Sequence, residues 1–273
     1  MRRYIACFVI MCMLMVSGGT SLALANAPTA VTDKILAVEL ELYGMEQAGA
    51  LMERTARVEF DLYNEAYAKP IIERVEGLYT AVIGDGSGSP TFISKLNAVE
   101  VTFNKTITDK PAKTRLEDME KTISGTVHTE GGMMARLNAL AAMTFPGGEV
   151  AMERVTLPKD TLIKISIQKE LAGRVNKAGE DVPFRAEDNI YVGEALVIPK
   201  GAMGTAKIKK IADPALFGKD GRIDLEFKHL PGMDGTKVPI EMGDVAKKMT
   251  QSQIQAGGAA LAGMVLLGPL GAA

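Results

Sequence analysis

The chain has 273 residues, 47% of them hydrophobic and 23% charged, with a formal net charge of −2. That is enough apolar material for a packed core of one or two domains, so disorder is excluded as the default. Aromatic residues make up 5% and Trp is absent, which argues against the stacked-ring platforms that grip carbohydrate or single-stranded nucleic acid; so small a net charge gives no reason to expect a polyanion partner.

The first stretch, "MRRYIACFVIMCMLMVSGGTSLALANA", has the grammar of a secretory signal peptide. Arg2 and Arg3 form a basic start, an apolar run follows from Tyr4 to Val16, and Ala23-Leu24-Ala25 and Ala25-Asn26-Ala27 offer two cleavage endings. Cleavage after Ala25 is preferred, because the second option puts Pro28 directly after the cut. An uncleaved anchor helix is the competing reading, but the run is shorter than the ~20 residues a span needs. Cys7 and Cys12 both fall inside residues 1–25. The mature chain is therefore expected to hold no disulfide, no thiolate nucleophile and no Cys-ligated metal. Export to the periplasm or outer envelope follows.

Residues 28–146 repeat themselves. "RVEFDLY" at 57–63 and "RVEGLY" at 74–79 are echoes, and the basic residues Lys34, Arg54, Arg74, Lys95, Arg115 and Arg136 are spaced 20, 20, 21, 20 and 21 apart. Six units at a nearly fixed period signal a repeat architecture. With the basic residue as position zero, position −3 is Val31, Leu51, Ile71, Phe92, Ala112 and Met133. Position +1 is Ile35, Thr55, Val75, Leu96, Leu116 and Leu137. Position +4 is Val38, Val58, Leu78, Val99, Met119 and Leu140, and position +8 is Leu42, Leu62, Val82, Phe103, Ile123 and Thr144. These offsets trace one face of an α-helix, with Thr55 and Thr144 as departures. Pro70, Pro90 and Pro111 precede the anchors where a first-turn proline loses nothing. Gly44, Asn64, Gly84 and Gly125 stand ten residues after, as left-handed C-terminal caps. Each unit is one short helix, marginal alone and stable only when stacked on its neighbours. A continuous coiled coil competes, because 21 residues make three heptads, but the Gly/Pro punctuation argues against it. The anchors have two readings. They lie along helix flanks and pair with acids such as Glu39, Glu59, Glu100 and Glu120, or they form a ladder of positive charge that grips a polymer. The first is preferred, since the acids recur at +5.

After Pro146-Gly147-Gly148 the texture changes. "TLIKISIQ" (161–168) and "GRIDLEFKHL" (221–230) alternate apolar and polar residues with the period of half-buried strands. "IYVGEALVIPKG", "GTAKIKKI" and "GTKVPIEMG" lie around them, and Gly179-Glu180-Asp181, Lys219-Asp220-Gly221 and Met233-Asp234-Gly235 read as turns. A β module over 153–247, with five to seven strands in a small antiparallel barrel or sandwich, is expected. "LPKDT" (157–161) and "IPKGA" (198–202) match each other; each Pro suits a strand's first residue, and Gly201 permits a turn.

The phrases "LPKDTLIKISI", "AGEDVPFRAEDNIYVGEALVIPKGAMGTAKI" and "DGTKVPI" resemble a β module of uncharacterised bacterial envelope proteins. More distantly they are similar to the β-barrel of TrbI-like components of conjugation and type IV secretion channels, where a phrase like "IPKG" also precedes a strand. The resemblance covers roughly 155–245 and implies an envelope-spanning assembly. The chain departs from that family in having a cleavable leader in place of an inner-membrane anchor, and no long proline-rich spacer. The helical repeat, in phrases like "LYGMEQAGALMER", also resembles secreted proteins with no assigned activity.

After Lys248 no charge appears. An apolar Gly/Ala-rich helical tail is expected over 254–273, with Gly258, Ala262 and Gly263 at spacings that permit close helix packing in lipid. A buried helical hairpin, or a chain end whose continuation is missing, is the alternative to membrane contact.

The motifs that carry chemistry fail one by one. "GDGSGSPTFISKL" places Asp85, Ser87 and Ser89 like a calcium loop, but the sixth position is Pro90 and the twelfth Leu96. Gly218-Lys219 lacks the glycine of a phosphate loop. His128 and His229 are the only histidines, without a third ligand for zinc or a triad. Glu180-Asp181 and Glu187-Asp188 read as solvated turns. No catalytic, cofactor-binding or metal residue is assigned. The expectation is an α+β protein of the cell envelope, non-enzymatic and structural or protein-interacting. Its partner is a protein, not a nucleic acid, and the tail adds a membrane contact. An accessory role in a secretion or conjugation channel is the alternative, and a cell-wall enzyme a third.

Overall fold

The structure is a computed structural model in which residues 30–65, 70–84, 90–159, 161–171, 175–212, 222–244 and 264–269 are described. The leader with Cys7 and Cys12, the 85–89 loop, the turn at 219–221 and the tail residues Gly258, Ala262 and Gly263 lie outside them.

Among the described residues six helices come first: α1 (Val31–Tyr43), α2 (Leu51–Tyr63), α3 (Ile72–Val82), α4 (Phe92–Asn104), α5 (Ala112–Ser124) and α6 (Met133–Thr144). Each begins within a few residues of its basic anchor, and the twelve side chains at +1 and +4 are all 2% exposed or less. They form one apolar core, joined from α4–α6 by Phe92, Ala112 and Met133. Thr55 is buried with its hydroxyl unpartnered, whereas the Thr144 hydroxyl donates to the Leu140 carbonyl at 2.7 Å. Phe103 departs from the stripe and is 41% exposed. At that end α4 turns toward the β module, where Val101 packs against the second core and Ile107 enters it.

The backbone of α1–α3 has positive φ throughout (Leu36 +30°, Val58 +37°, Leu78 +42°), a left-handed sense, whereas α4–α6 are right-handed. For L-residues that hand costs about 1–2 kcal/mol per residue. Over three helices this exceeds the ~5–15 kcal/mol net stability of a domain, so the right-handed form is the stable one for these positions. Burial at +1 and +4, and the ion pairs described below, are common to both hands.

Of the four expected caps only Gly125 takes the left-handed conformation, at φ +80°. Gly44 (φ −69°) and Asn64 (φ −84°) do not; both are opposite in hand to the helices they end. Gly84 follows Ile83, the residue that ends α3, and donates its N–H to the Tyr79 carbonyl. Thr91 caps the start of α4, its hydroxyl accepting from the Ser94 N–H at 3.2 Å.

Nine strands follow among the described residues: β1 (Ile163–Ile167), β2 (Asp181–Ala186), β3 (Ile190–Val192), β4 (Ala195–Ile198), β5 (Met203–Ala212), β6 (Arg222–Phe227), β7 (His229–Pro231), β8 (Lys237–Glu241) and β9 (Met264–Pro269). Seven form one antiparallel sheet in the order β6-β5-β2-β1-β9-β8-β7, and β3 and β4 form a hairpin. The alternation holds: Ile163, Ile165 and Ile167 of β1 face the core with Val182 and Phe184 of β2. The sheet curls into a half-barrel, and β5 approaches β7. A Cβ at Gly204 of β5 would lie 2.7 Å from the His229 carbonyl oxygen and 2.4 Å from Phe184, so glycine is what lets the curl tighten. Phe184 and Phe227 meet edge to face at 5.1 Å inside it.

Two expectations need correction here. Pro158 and Pro199 do not open strands. Each accepts a hydrogen bond three residues on, from the N–H of Thr161 and of Ala202, and so sits in a turn that precedes the strand. Residues 264–269, expected in a helical tail, form β9 in the middle of the sheet instead, paired with β1 over Ile163↔Leu267 to Ser166↔Met264 and with β8 at Ile240↔Pro269. A short apolar run fits a buried strand as well as a helix, and periodicity alone does not separate them. Among the described residues no helix is long and apolar enough to cross a membrane.

Candidate interaction surface

The basic anchors do not form an open ladder. Arg54 Nε donates to Glu39 Oε1 at 2.7 Å and Nη2 to Oε2 at 3.0 Å. Arg74 grips Glu59 in the same way at 2.7 and 3.2 Å, and Arg136 grips Glu120 at 2.8 and 2.6 Å. Arg115 donates to Glu100 at 2.8 and 2.5 Å and to Asn97 Oδ1 at 2.6 Å. Each pair joins the +5 acid of one helix to the anchor of the next, and each of these carboxylates is buried. The planar guanidinium fork suits this two-point grip as an ammonium does not.

The same carboxylates also hold the loops. Glu39 accepts from the Gln47 N–H at 3.1 Å, Glu100 from the Thr108 N–H at 3.2 Å, and Glu120 from the His128 N–H at 3.2 Å. Burial works against the Glu120 carboxylate, but the Arg136 and His128 hydrogen bonds hold its pKa below the ordinary value.

Lysine stands at the two anchors that follow no +5 acid. Lys34 Nζ donates to Glu76 Oε2 at 2.7 Å and Lys95 Nζ to Asn138 Oδ1 at 2.8 Å. Glu76 and Asn138 both lie two residues past their own anchors. Each lysine thus ties the first helix of a trio to the third, and the six helices are two closed three-helix units. Lys34, Arg54 and Arg74 recur as Lys95, Arg115 and Arg136 after 61, 61 and 62 residues, and "KILAVE" recurs as "KLNAVE". The first and third helices of each trio pack together, and α1–α6, α3–α4 and α2–α5 contacts join the units.

The second unit carries the β module. Ile107 N–H and Thr106 Oγ1 donate to the Lys200 carbonyl at 2.9 and 3.0 Å. Asn97 Nδ2 donates to the Met233 carbonyl at 2.9 Å, and Gly235 lies against Ile93. Gly201 has φ +88°, and a Cβ there would come 2.1 Å from the Ile107 carbonyl oxygen; nothing larger than glycine fits. The "IPKG" phrase is therefore the hinge point of the two modules. A cleft of about 400 Å3 opens beside it, lined by Thr106, Asp109, Gln168, Arg185 and Met203 among others.

The remaining polar candidates serve turns. Glu180 accepts from the Asn176 side chain, Lys169 and the Lys177 N–H, which lower its pKa. Glu187 is lowered by a hydrogen bond from Ser166 and by Arg185, against burial. His128 sits in the loop after α5 and His229 opens β7, where burial and then Lys237 and Lys228 push its pKa down. Among the described residues no three His, Cys, Asp or Glu side chains gather to hold a metal ion. The Lys/Arg sorting and the 61-residue period were the signals that a 20-residue alignment passed over.

No family model and no curated protein matches the chain. Among solved structures, the chain is similar to ComB10 of the Com type IV secretion system of Helicobacter pylori at 17% identity, over 38% of this chain and 53% of that one, with a TM-score of 0.24. The chain spans about half the length of that structure. So low a TM-score carries no argument about fold or role.

Proposed function

We propose that this chain is a non-enzymatic protein of the cell envelope, exported by the general secretory route, that holds other proteins. The observation that carries the reading is the construction itself. Helices clamped by buried ion pairs are fused through a tight junction to a half-barrel whose outer strands, among the described residues, are β6 and β7. Outer strands and helical faces are contact surfaces. The leader-like residues 1–25 and the resemblance of 155–245 to envelope β modules support the compartment. Envelope fractionation with sequencing of the mature N-terminus tests the reading. The expected result is a chain starting at Asn26, in the envelope fraction, held in a complex with another protein. A chain that keeps Met1 and stays in the cytoplasmic fraction as a monomer overturns it.

An accessory role in a secretion or conjugation channel is the second reading. It is favoured by the "IPKG" phrase, the part of the resemblance to TrbI-like components that forms the junction. Ring-shaped oligomers in detergent would support it, and a complex without rotational symmetry would count against it.

A further inference from the structure

We infer that Asn97 is a positioning residue: it couples the buried Arg115–Glu100 pair to the β7–β8 turn and so sets the angle at which the second helical unit carries the β module. The coupling is independent of what the chain binds.

The covalent link does not set that angle. Among the described residues between α6 and β1, Pro146–Gly148 form one turn of 3-10 helix and the rest form no helix or strand. Modules joined by so irregular a segment move relative to one another unless their contacts fix them. The apolar contacts, Ile107 in the second core and Gly235 against Ile93, are non-directional. Direction comes from hydrogen bonds.

Asn97 is 3% exposed and lies on α4, two residues past the Lys95 anchor. On one side it meets the Arg115 guanidinium, which can only donate. On the other it meets the Met233 carbonyl, which can only accept. Its Oδ1 accepts from Arg115 Nη2 at 2.6 Å and its Nδ2 donates to the Met233 carbonyl at 2.9 Å. These two neighbours leave the amide one orientation. An ionised aspartate has no donor for the carbonyl, and leucine has neither group.

Met233 in turn donates its N–H to the Val197 carbonyl at 2.8 Å, two residues before Pro199 of the "IPKG" phrase. The β7–β8 turn and the "IPKG" turn are thereby tied together. Arg115 also reaches the "IPKG" turn by a second route. It holds Glu100, which accepts from the Thr108 N–H and hydroxyl, and the adjoining Thr106 and Ile107 donate to the Lys200 carbonyl. One buried guanidinium thus stands behind both directional contacts of the β module.

Distances between paired spin labels, measured by electron–electron double resonance, test this. The full chain is used, with Cys7 and Cys12 replaced by serine and labels at Ala139 on α6 and Lys209 on β5, both exposed. The chain with Asn97 intact should give one narrow distance distribution. Asn97→Asp keeps the size and the grip on Arg115 but sets an acceptor against the Met233 carbonyl. Asn97→Ala removes both contacts. Both variants should lose the narrow distribution while the far-UV circular dichroism stays unchanged. Glu120→Gln weakens a pair of the same build that faces the His128 loop, and should keep it. A broad distribution with Asn97 intact, a narrow one in either Asn97 variant, or broadening in Glu120→Gln as well would overturn the proposal. If Asn97→Asp fails to fold, Asn97→Ala decides.

Discussion

Glu100 is 2% exposed and touches Arg115, Asn97's partner, and the Thr108 N–H and hydroxyl. A buried ion pair of this kind is weak evidence of net stability but a strong source of fragility. Removing one partner strands a charge, so Glu100→Ala should cost about 3–5 kcal/mol, measured by denaturant unfolding, while Glu100→Met with Arg115→Leu should cost less, the remainder coming from the Thr108 N–H and the Asn97 side-chain oxygen that lose their partners. Acid should act through Glu120. The folded Glu120 carboxyl lies below its ordinary 4.5. Its contribution is therefore complete above that value and lost as pH falls through the folded one. The melting temperature should be flat from neutral pH down to about 5 and fall below 4.5. In Glu120→Gln the acid limb should be shallower. The pairing of anchors with Glu39, Glu59, Glu100 and Glu120 was legible in the recurrence at +5. Its burial was not, because a sequence shows which charges are near but not which are covered.

At the scale of elements, the apolar stripe at +1 and +4 marked all six helices, and alternation found β1 and β6. What misled was chemistry that fits two states. Asn64 and Gly44 permit a left-handed cap without requiring it, and "MVLLGP" suits strand and helix alike. Chirality decides the hand of α1–α3. The far-UV circular dichroism of the full chain should show the negative 208 and 222 nm bands in proportion to six right-handed helices; an amplitude near zero, from opposed hands cancelling, would contradict this. β9 lies between β1 and β8, so a chain ending at Gln251 leaves both with unpaired edges. Hydrogen exchange at Ile163 and Ile165, whose amides face β9, should accelerate in that chain and leave the core of α4–α6 unchanged. Unaltered protection of β1 would remove β9 from the sheet.

The whole molecule is two trios and a half-barrel joined at Lys200–Gly201. The α+β class could be read from the change of periodicity along the chain. The trios could not be read at a period of 20, because the break between them shows only in Lys for Arg at positions 34 and 95, and in Tyr79 of the third helix, where the first- and second-helix units have glutamate. The junction was hidden because it depends on backbone groups, the Ile107 N–H and the Lys200 carbonyl, that carry no sequence signature. The central claim is that this scaffold works by holding another protein in the envelope. It is tested most directly by cross-linking intact cells and measuring the mass of the species that contains the mature chain. The account predicts one discrete complex, heavier than the chain and containing a second polypeptide. A species that stays at the mass of a single chain at every cross-linker concentration would contradict it.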